Sequence, residues 1–127
     1  MKLRQAAATF IFMACCQSVS AKCSWEPLQG PLDDAIDEIH LLSRANGNAR
    51  VEITREILQI RRRVRDVPLD PCLADSRTLL LNWIDAELSF DQLYNGTDMQ
   101  AAKSARDRAT AAGNAMTAER RRVQNAS

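Results

Sequence analysis

Aromatic residues, glycine and proline are all scarce in this 127-residue chain. Aromatic residues make up 5% of it, and it contains four glycines and four prolines. A turn-rich β-fold places such residues between many short strands, so their scarcity disfavours that class. The core must then be built mostly from Leu, Ile, Val and Ala. The length predicts one domain with a small core.

The sequence also lacks the patterns that indicate an enzyme or a metalloprotein. His40 is the only histidine, and no serine lies in a nucleophile-elbow motif. The glycines do not form a phosphate-binding loop, and no Cys-x-x-Cys motif is present. The carboxylates of Asp85, Glu87 and Asp91 do not have the Glu-x-x-His spacing of a di-iron site. We therefore predict a protein that is not an enzyme and has no metal or cofactor.

The N-terminal residues have the three parts of a signal peptide. Lys2 and Arg4 form a basic start, and an apolar stretch covers residues 6–16. Val19 and Ala21 are small residues at the −3 and −1 positions of a cleavage site. The apolar stretch is shorter than the roughly 20 residues that span a bilayer as a helix. This pattern predicts export, to the periplasm or out of the cell.

Two forms of the exported protein are consistent with this segment. Ordinary cleavage removes residues 1–21 as a signal peptide and leaves residues 22–127 as a single helical domain. In the alternative form, Cys15 or Cys16 is lipidated and anchors the protein to a membrane. The residues before these two cysteines do not resemble the usual Leu-small-small signal of a lipoprotein. We therefore favour ordinary cleavage, and we expect membrane attachment only if the chain is lipidated.

The charge balance argues against nucleic acid as a partner. The chain carries 17 basic and 16 acidic residues, and signal-peptide cleavage would remove Lys2 and Arg4 from the basic set. General nucleic-acid binding needs a strongly basic surface, which a nearly neutral protein does not offer. Export out of the cytoplasm also argues against nucleic acid as a partner.

Cleavage of the signal peptide would leave two cysteines, Cys23 and Cys72. An even pair of cysteines in an oxidising compartment predicts a disulfide. A structural zinc ion needs four ligands, and these two cysteines with His40 do not supply them. We therefore predict a Cys23–Cys72 disulfide that ties an N-terminal strap, residues 22–30, to the start of the third predicted helix.

Apolar periodicity and stop signals predict two helices in the first half of the domain. The first opens at Gly30-Pro31, because proline suits the first helical position. It ends at residues 45–48 (ANGN), where we expect a left-handed stop and a short turn. The second runs from about Ala49 to Val67, since Pro68 restricts the residue before it.

Two more helices are predicted in the second half. The third covers about residues 71–95 and has the widest apolar face, so it should be central. The fourth follows a capping box at Thr97-Asp98-Met99-Gln100, and its tail should fray from about residue 119. Short connections between four amphipathic segments predict an all-α fold: a small antiparallel helical bundle of three to four helices.

Two charged clusters are candidates for binding a protein partner. The acidic cluster does not have the spacing of an EF-hand calcium loop, so a solvated face or a docking surface is favoured. The basic cluster could pair with the first helix, or hold an anionic partner or lipid headgroups. The acidic members are Asp33, Asp34, Asp37 and Glu38, and the basic members are Arg61, Arg62, Arg63 and Arg65.

The two tryptophans have different predicted roles. Trp83 lies on the main apolar stripe of the third helix and should be in the core. Trp25 lies near Cys23, where it either covers one end of the bundle or is exposed as a binding anchor. We favour a buried Trp25 that covers the end of the bundle, because burial of an indole contributes much to the stability of a small domain. Trp25 remains among the candidate partner-binding residues.

These features predict an exported helical protein that works through its surface. The preferred hypothesis is protein binding, for example as a periplasmic inhibitor or an immunity-type protein. The alternative is an envelope-associated structural protein or a lipoprotein. A carrier of a small molecule or ion in the bundle interior is a third class. A homodimer stays open, since an exposed apolar stripe would favour one.

Overall fold

A computed structural model describes residues 23–126 of the chain. This range forms four α-helices and a short 3-10 turn, with no β-strand within it. The helices are α1 (Glu26–Leu42), α2 (Asn48–Asp66), α3 (Ala74–Tyr94) and α4 (Met99–Ala126), and the 3-10 turn is Pro71–Leu73. The prediction of an all-α helical bundle is confirmed.

The predicted signal peptide, with Cys15 and Cys16, lies outside the described residues. Inside the described range, no helix has both the length and the apolar character that crossing a membrane requires.

α3 is the central helix of the bundle. It contacts α1, α2 and α4, and its most extensive packing is with α4. Leu80, Trp83 and Ile84 of α3 are buried in the core. The wide apolar face that predicts a central position is thus divided among three neighbouring helices.

α1 begins at Glu26, about one turn before the predicted start. Trp25 and Leu28 are both buried and extend the apolar stripe of the helix toward the N-terminus. Pro31 therefore lies inside the helix, where it leaves the carbonyl of Pro27 without its helical N–H donor. Core packing outweighs that cost, and the N-terminal strap is reduced to residues 23–25.

α2 lies within one residue of its predicted bounds. Gly47, which precedes it, has a φ of 56°. This is the left-handed region that glycine adopts without strain. At the other end, Val67 is extended and its N–H donates to the carbonyl of Arg63 at 2.9 Å. Pro68 imposes that extended conformation on Val67.

Asp98 caps the start of α4. Its Oδ1 accepts hydrogen bonds from the backbone N–H groups of Gln100 at 3.1 Å and Ala101 at 3.0 Å. These N–H groups have no partner within the helix, so the side chain of Asp98 satisfies them. The cap is therefore Asp98 and not Thr97, the first residue of the predicted capping box.

The last turns of α4 are held to the bundle. Val123 is 1% exposed and lies in the core. The buried hydroxyl of Ser76 donates to Glu119 Oε1 at 3.0 Å, and Arg122 pairs with the same carboxylate at 2.6 Å. The helix continues to Ala126, through the segment in which the sequence predicts fraying, and the Ser76–Glu119 hydrogen bond and the buried Val123 hold it to the bundle.

Gly113 allows α4 to approach α3 closely. A Cβ atom at this position would lie 3.3 Å from both Cδ1 and Nε1 of Trp83. Glycine lowers helix propensity by about 1 kcal/mol relative to alanine. At position 113 it makes room for the indole ring of the central helix.

The Cys23–Cys72 disulfide is present, as predicted. The Cα atoms of its two residues are 6.1 Å apart, and the residues are separated by 49 positions in sequence. Cys72 lies in the 3-10 turn before α3. The bond therefore joins the start of α1 to the start of α3.

Candidate protein-binding site

One member of the basic cluster, Arg63, faces the acidic cluster of α1. Arg63 Nη1 lies 2.8 Å from Asp34 Oδ2. Asp37 and Glu38 line the same shallow groove between the two helices. In the part of the chain that the structure describes, no group of three or more His, Cys, Asp or Glu residues is arranged to hold a metal ion. Asp33 does not line this groove and accepts a hydrogen bond from Gln29 at 2.8 Å.

Most of the basic cluster is engaged within the chain. Arg61 forms two hydrogen bonds to Asp85 of α3, at 2.6 and 3.0 Å. Arg65 pairs with its neighbour Asp66 at 2.9 Å. Arg62 is exposed and has no ion pair among residues 23–126. Exposed ion pairs such as Arg61–Asp85 and Arg65–Asp66 each contribute only about 0–1 kcal/mol to stability.

Trp25 lies in the hydrophobic core and not on the surface. Its side chain is 3% exposed and packs with the buried residues at the start of α1. Its indole N–H has no hydrogen-bond partner among the described residues. This location favours a Trp25 that covers one end of the bundle over a Trp25 that is exposed as a binding anchor.

A cleft of about 360 Å³, here named the end cleft, opens at the end of the bundle opposite the disulfide. It lies where α1 ends, α2 begins and α3 ends, beside an early turn of α4. A mainly apolar lining with a few polar groups is typical of a binding site. The lining residues are Ile39, Leu42, Ser43, Arg50, Glu87, Phe90, Asp91, Tyr94 and Arg106.

Arg50 holds three parts of this end together. Its Nη1 donates to the carbonyl oxygens of Leu42 at 3.3 Å and Ala45 at 3.2 Å. Its Nη2 forms an ion pair with the carboxylate of Asp91 on α3. The end of α1, the α1–α2 turn and α3 are thus fixed relative to one another. These contacts hold the part of the end cleft that lies between α1, α2 and α3.

An exposed apolar surface continues from the end cleft onto α4. Phe90 and Tyr94 lie against each other with ring centroids 5.6 Å apart. Tyr94 is 68% exposed and Met99 is 81% exposed. A second depression of about 160 Å³, here named the side groove, shares Phe90, Tyr94 and Arg106 with the end cleft. It is completed by Met99, Ala102 and Lys103.

Glu87 places a carboxyl group in the wall of the end cleft. Burial raises the pKa of this carboxyl group above its ordinary value. A hydrogen bond from Trp83 and the charge of His40 oppose the increase in pKa, with smaller effects. An ionisable group whose burial is unfavourable, in a cleft, is a candidate functional residue.

Glu87→Gln should stabilise the protein at neutral pH. The folded state favours the protonated carboxyl group, so stability falls as pH rises from the ordinary pKa of 4.5 through the raised value. Glutamine has no charge to bury and still offers an oxygen to the Trp83 N–H. Urea denaturation should show a gain at pH 7 that vanishes near pH 3, where Glu87 is protonated in both states. A loss of stability at pH 7 would contradict this account, and Glu56→Gln, at an exposed glutamate of α2, controls for the lost charge.

Sequence reasoning missed most of this site. It identified none of Phe90, Tyr94, Met99 and Arg106 as a candidate site residue. One signal was available: Tyr94 and Met99 are large apolar residues on both sides of the short Asn95–Asp98 turn. Large apolar residues that flank a tight turn have few partners within their own hairpin, so they predict an exposed apolar surface.

Comparisons with protein-family models, with curated proteins and with solved structures find no match to this chain.

Proposed function

We propose that this protein is exported and acts by binding another protein, without catalysing a reaction. The observation that carries the proposal is the exposed apolar surface of Tyr94 and Met99 beside the end cleft. Export is supported by the signal-peptide pattern of the N-terminus and by the Cys23–Cys72 disulfide, because disulfides persist in oxidising compartments.

The residue types at this end are those of protein interfaces. Tyrosine, phenylalanine, methionine and arginine are enriched in interface cores, and lysine and glutamate are depleted there. Phe90, Tyr94 and Met99 form the apolar centre, while Arg106 and Lys103 lie along its α4 side. Tyrosine and arginine are also the residues that most often carry binding energy. A cleft next to an exposed aromatic side chain can receive a side chain from the partner.

The rigidity of this end also supports binding. Arg50 holds the end of α1, the α1–α2 turn and α3 together, and the α3–α4 hairpin is the most extensive helix contact in the bundle. A surface that is already in its bound shape loses little conformational entropy on association. A small, rigid, disulfide-tied domain suits a periplasmic inhibitor or an immunity-type protein, which must bind tightly with a limited area.

The charged faces of α1 and α2 are a weaker candidate for the binding surface. Arg61, Arg63 and Arg65 are each engaged in an ion pair within the chain. A partner would have to replace those pairs, and replacing one exposed ion pair by another yields little net free energy. Arg62, which lies on this face, therefore serves as the reference position in the tests.

Site-specific photo-crosslinking tests the proposal. p-Benzoyl-phenylalanine is placed at position 94 of the full chain, or at position 62, and each variant is produced in the native host and irradiated. We expect a discrete adduct with a different protein from position 94 and none from position 62. No adduct from position 94, adducts from position 62 alone, or only an adduct of twice the chain's own mass would overturn the proposal.

A further inference from the structure

We propose that the end cleft and side groove select a partner segment that presents one large apolar side chain next to a carboxylate. This inference rests on the proposed function and specifies the chemistry of the partner. The apolar side chain would enter the end cleft, and the carboxylate would bind Arg106 and Lys103.

The end cleft provides the apolar part of the recognition. Ile39 and Leu42 of α1 face Phe90 and Tyr94 of α3 across it. Its volume of about 360 Å³ is enough for one large side chain. The hydrophobic effect favours filling such a cleft, since each apolar contact removes water from both surfaces.

The uncompensated charge along the α4 edge of this surface is positive. Arg106 lines both the end cleft and the side groove, and it has no ion-pair partner among residues 23–126. Lys103 is one turn earlier on the same face of α4 and is likewise exposed and unpaired within that range. In contrast, the charge of Arg50 is neutralised by Asp91. Two cations are therefore available to a partner's carboxylate.

The helix register separates these cations from Glu87, the other carboxylate in the cleft wall. In the antiparallel α3–α4 pair, Gly113 is level with Trp83. The same register places Arg106 level with Phe90. Both residues are one helical turn nearer than Glu87 to the end of the bundle at which the cleft opens. The inner part of the cleft is therefore acidic, and the outer α4 edge is basic. A partner's carboxylate is favoured at the outer edge, next to its apolar side chain.

Selection from a phage-displayed library of random dodecapeptides tests this chemistry. Phage that bind the natural protein are kept, and phage that also bind the Tyr94→Ala variant are removed. We expect enriched peptides to combine Trp, Phe or Leu with an adjacent Asp or Glu. For a synthetic peptide of the enriched sequence, Arg106→Glu should weaken binding at least about tenfold, as expected for losing one charge-assisted contact. The charge reversal Arg62→Glu on α2 is the matched control and should leave the affinity unchanged.

A charge swap makes the test specific. Replacing the acidic residue of the peptide by lysine should abolish binding to the natural protein and restore binding to Arg106→Glu. Because Arg106 is exposed, its reversal should leave the helix content unchanged by circular dichroism. Tyr94-dependent peptides without an acidic preference would overturn the inference and leave the proposed function standing. If no Tyr94-dependent peptide is enriched, the inference also fails, and the proposed function is then judged by the cross-linking result.

Discussion

Removing the Cys23–Cys72 disulfide should lower the free energy of unfolding by about 4 kcal/mol. The bond joins residues 49 positions apart, and a cross-link of that span removes much of the conformational freedom of the unfolded chain. It also fixes the start of α1 against the start of α3, where no other covalent link exists among the described residues. In a domain with a small core, a loss of this size is a large share of total stability.

The measurement is urea denaturation of the Cys23→Ser/Cys72→Ser variant beside the natural protein. Cys72 is exposed and Cys23 is partly exposed, so the serine side chains should create no buried polar group. The natural protein measured in reductant provides a second, independent way of breaking the bond, and it should match the double variant. A loss below about 1 kcal/mol in both comparisons would show that the disulfide does not carry the stability assigned to it.

Trp25→Ala should lower the free energy of unfolding by about 3–5 kcal/mol, the usual cost of truncating a buried aromatic side chain. Trp25 is 3% exposed and begins the apolar stripe of α1. The truncation would leave a cavity at the end of the bundle that the disulfide closes. An exposed binding anchor at this position would instead leave stability nearly unchanged when truncated.

Two further variants separate packing from other effects. Trp25→Phe retains most of the ring volume and removes an indole N–H that has no partner among the described residues. We expect it to cost less than about 1.5 kcal/mol. Tyr94→Ala removes an aromatic ring that is 68% exposed and should change stability by no more than about 0.5 kcal/mol. Equal losses for Trp25→Ala and Tyr94→Ala would contradict the placement of Trp25 in the core.

Much of the fold could be predicted from local sequence signals. Pro68 and the ANGN stretch are strong stop signals, and they place both ends of α2 within one residue. The start of α1 was missed because Pro31 suits a first helical position, whereas the stripe of Trp25 and Leu28 extends the helix past it. A local propensity was outweighed there by core packing, which cannot be read from a short window of sequence.

The candidate site was much less accessible to sequence reasoning. Its walls come from residues far apart in the chain, such as Ile39, Phe90 and Arg106. Periodicity predicts which face of a helix is apolar, but it does not say where that face extends beyond its neighbours. The charged clusters were visible because their residues are adjacent in sequence. Their ion pairs, such as Arg61 with Asp85, became visible only when the helices were placed side by side.

The most direct test of the central claim is the affinity of the partner recovered at position 94 for two variants of the protein. Isothermal titration calorimetry would compare Tyr94→Ala, at the end cleft, with Arg62→Ala, on the charged face of α2. Binding through the end cleft predicts at least a tenfold loss of affinity for Tyr94→Ala, the effect of removing an interface hot spot. It predicts no change for Arg62→Ala. Unchanged binding by Tyr94→Ala together with weakened binding by Arg62→Ala would contradict the account and place the interface on the charged face.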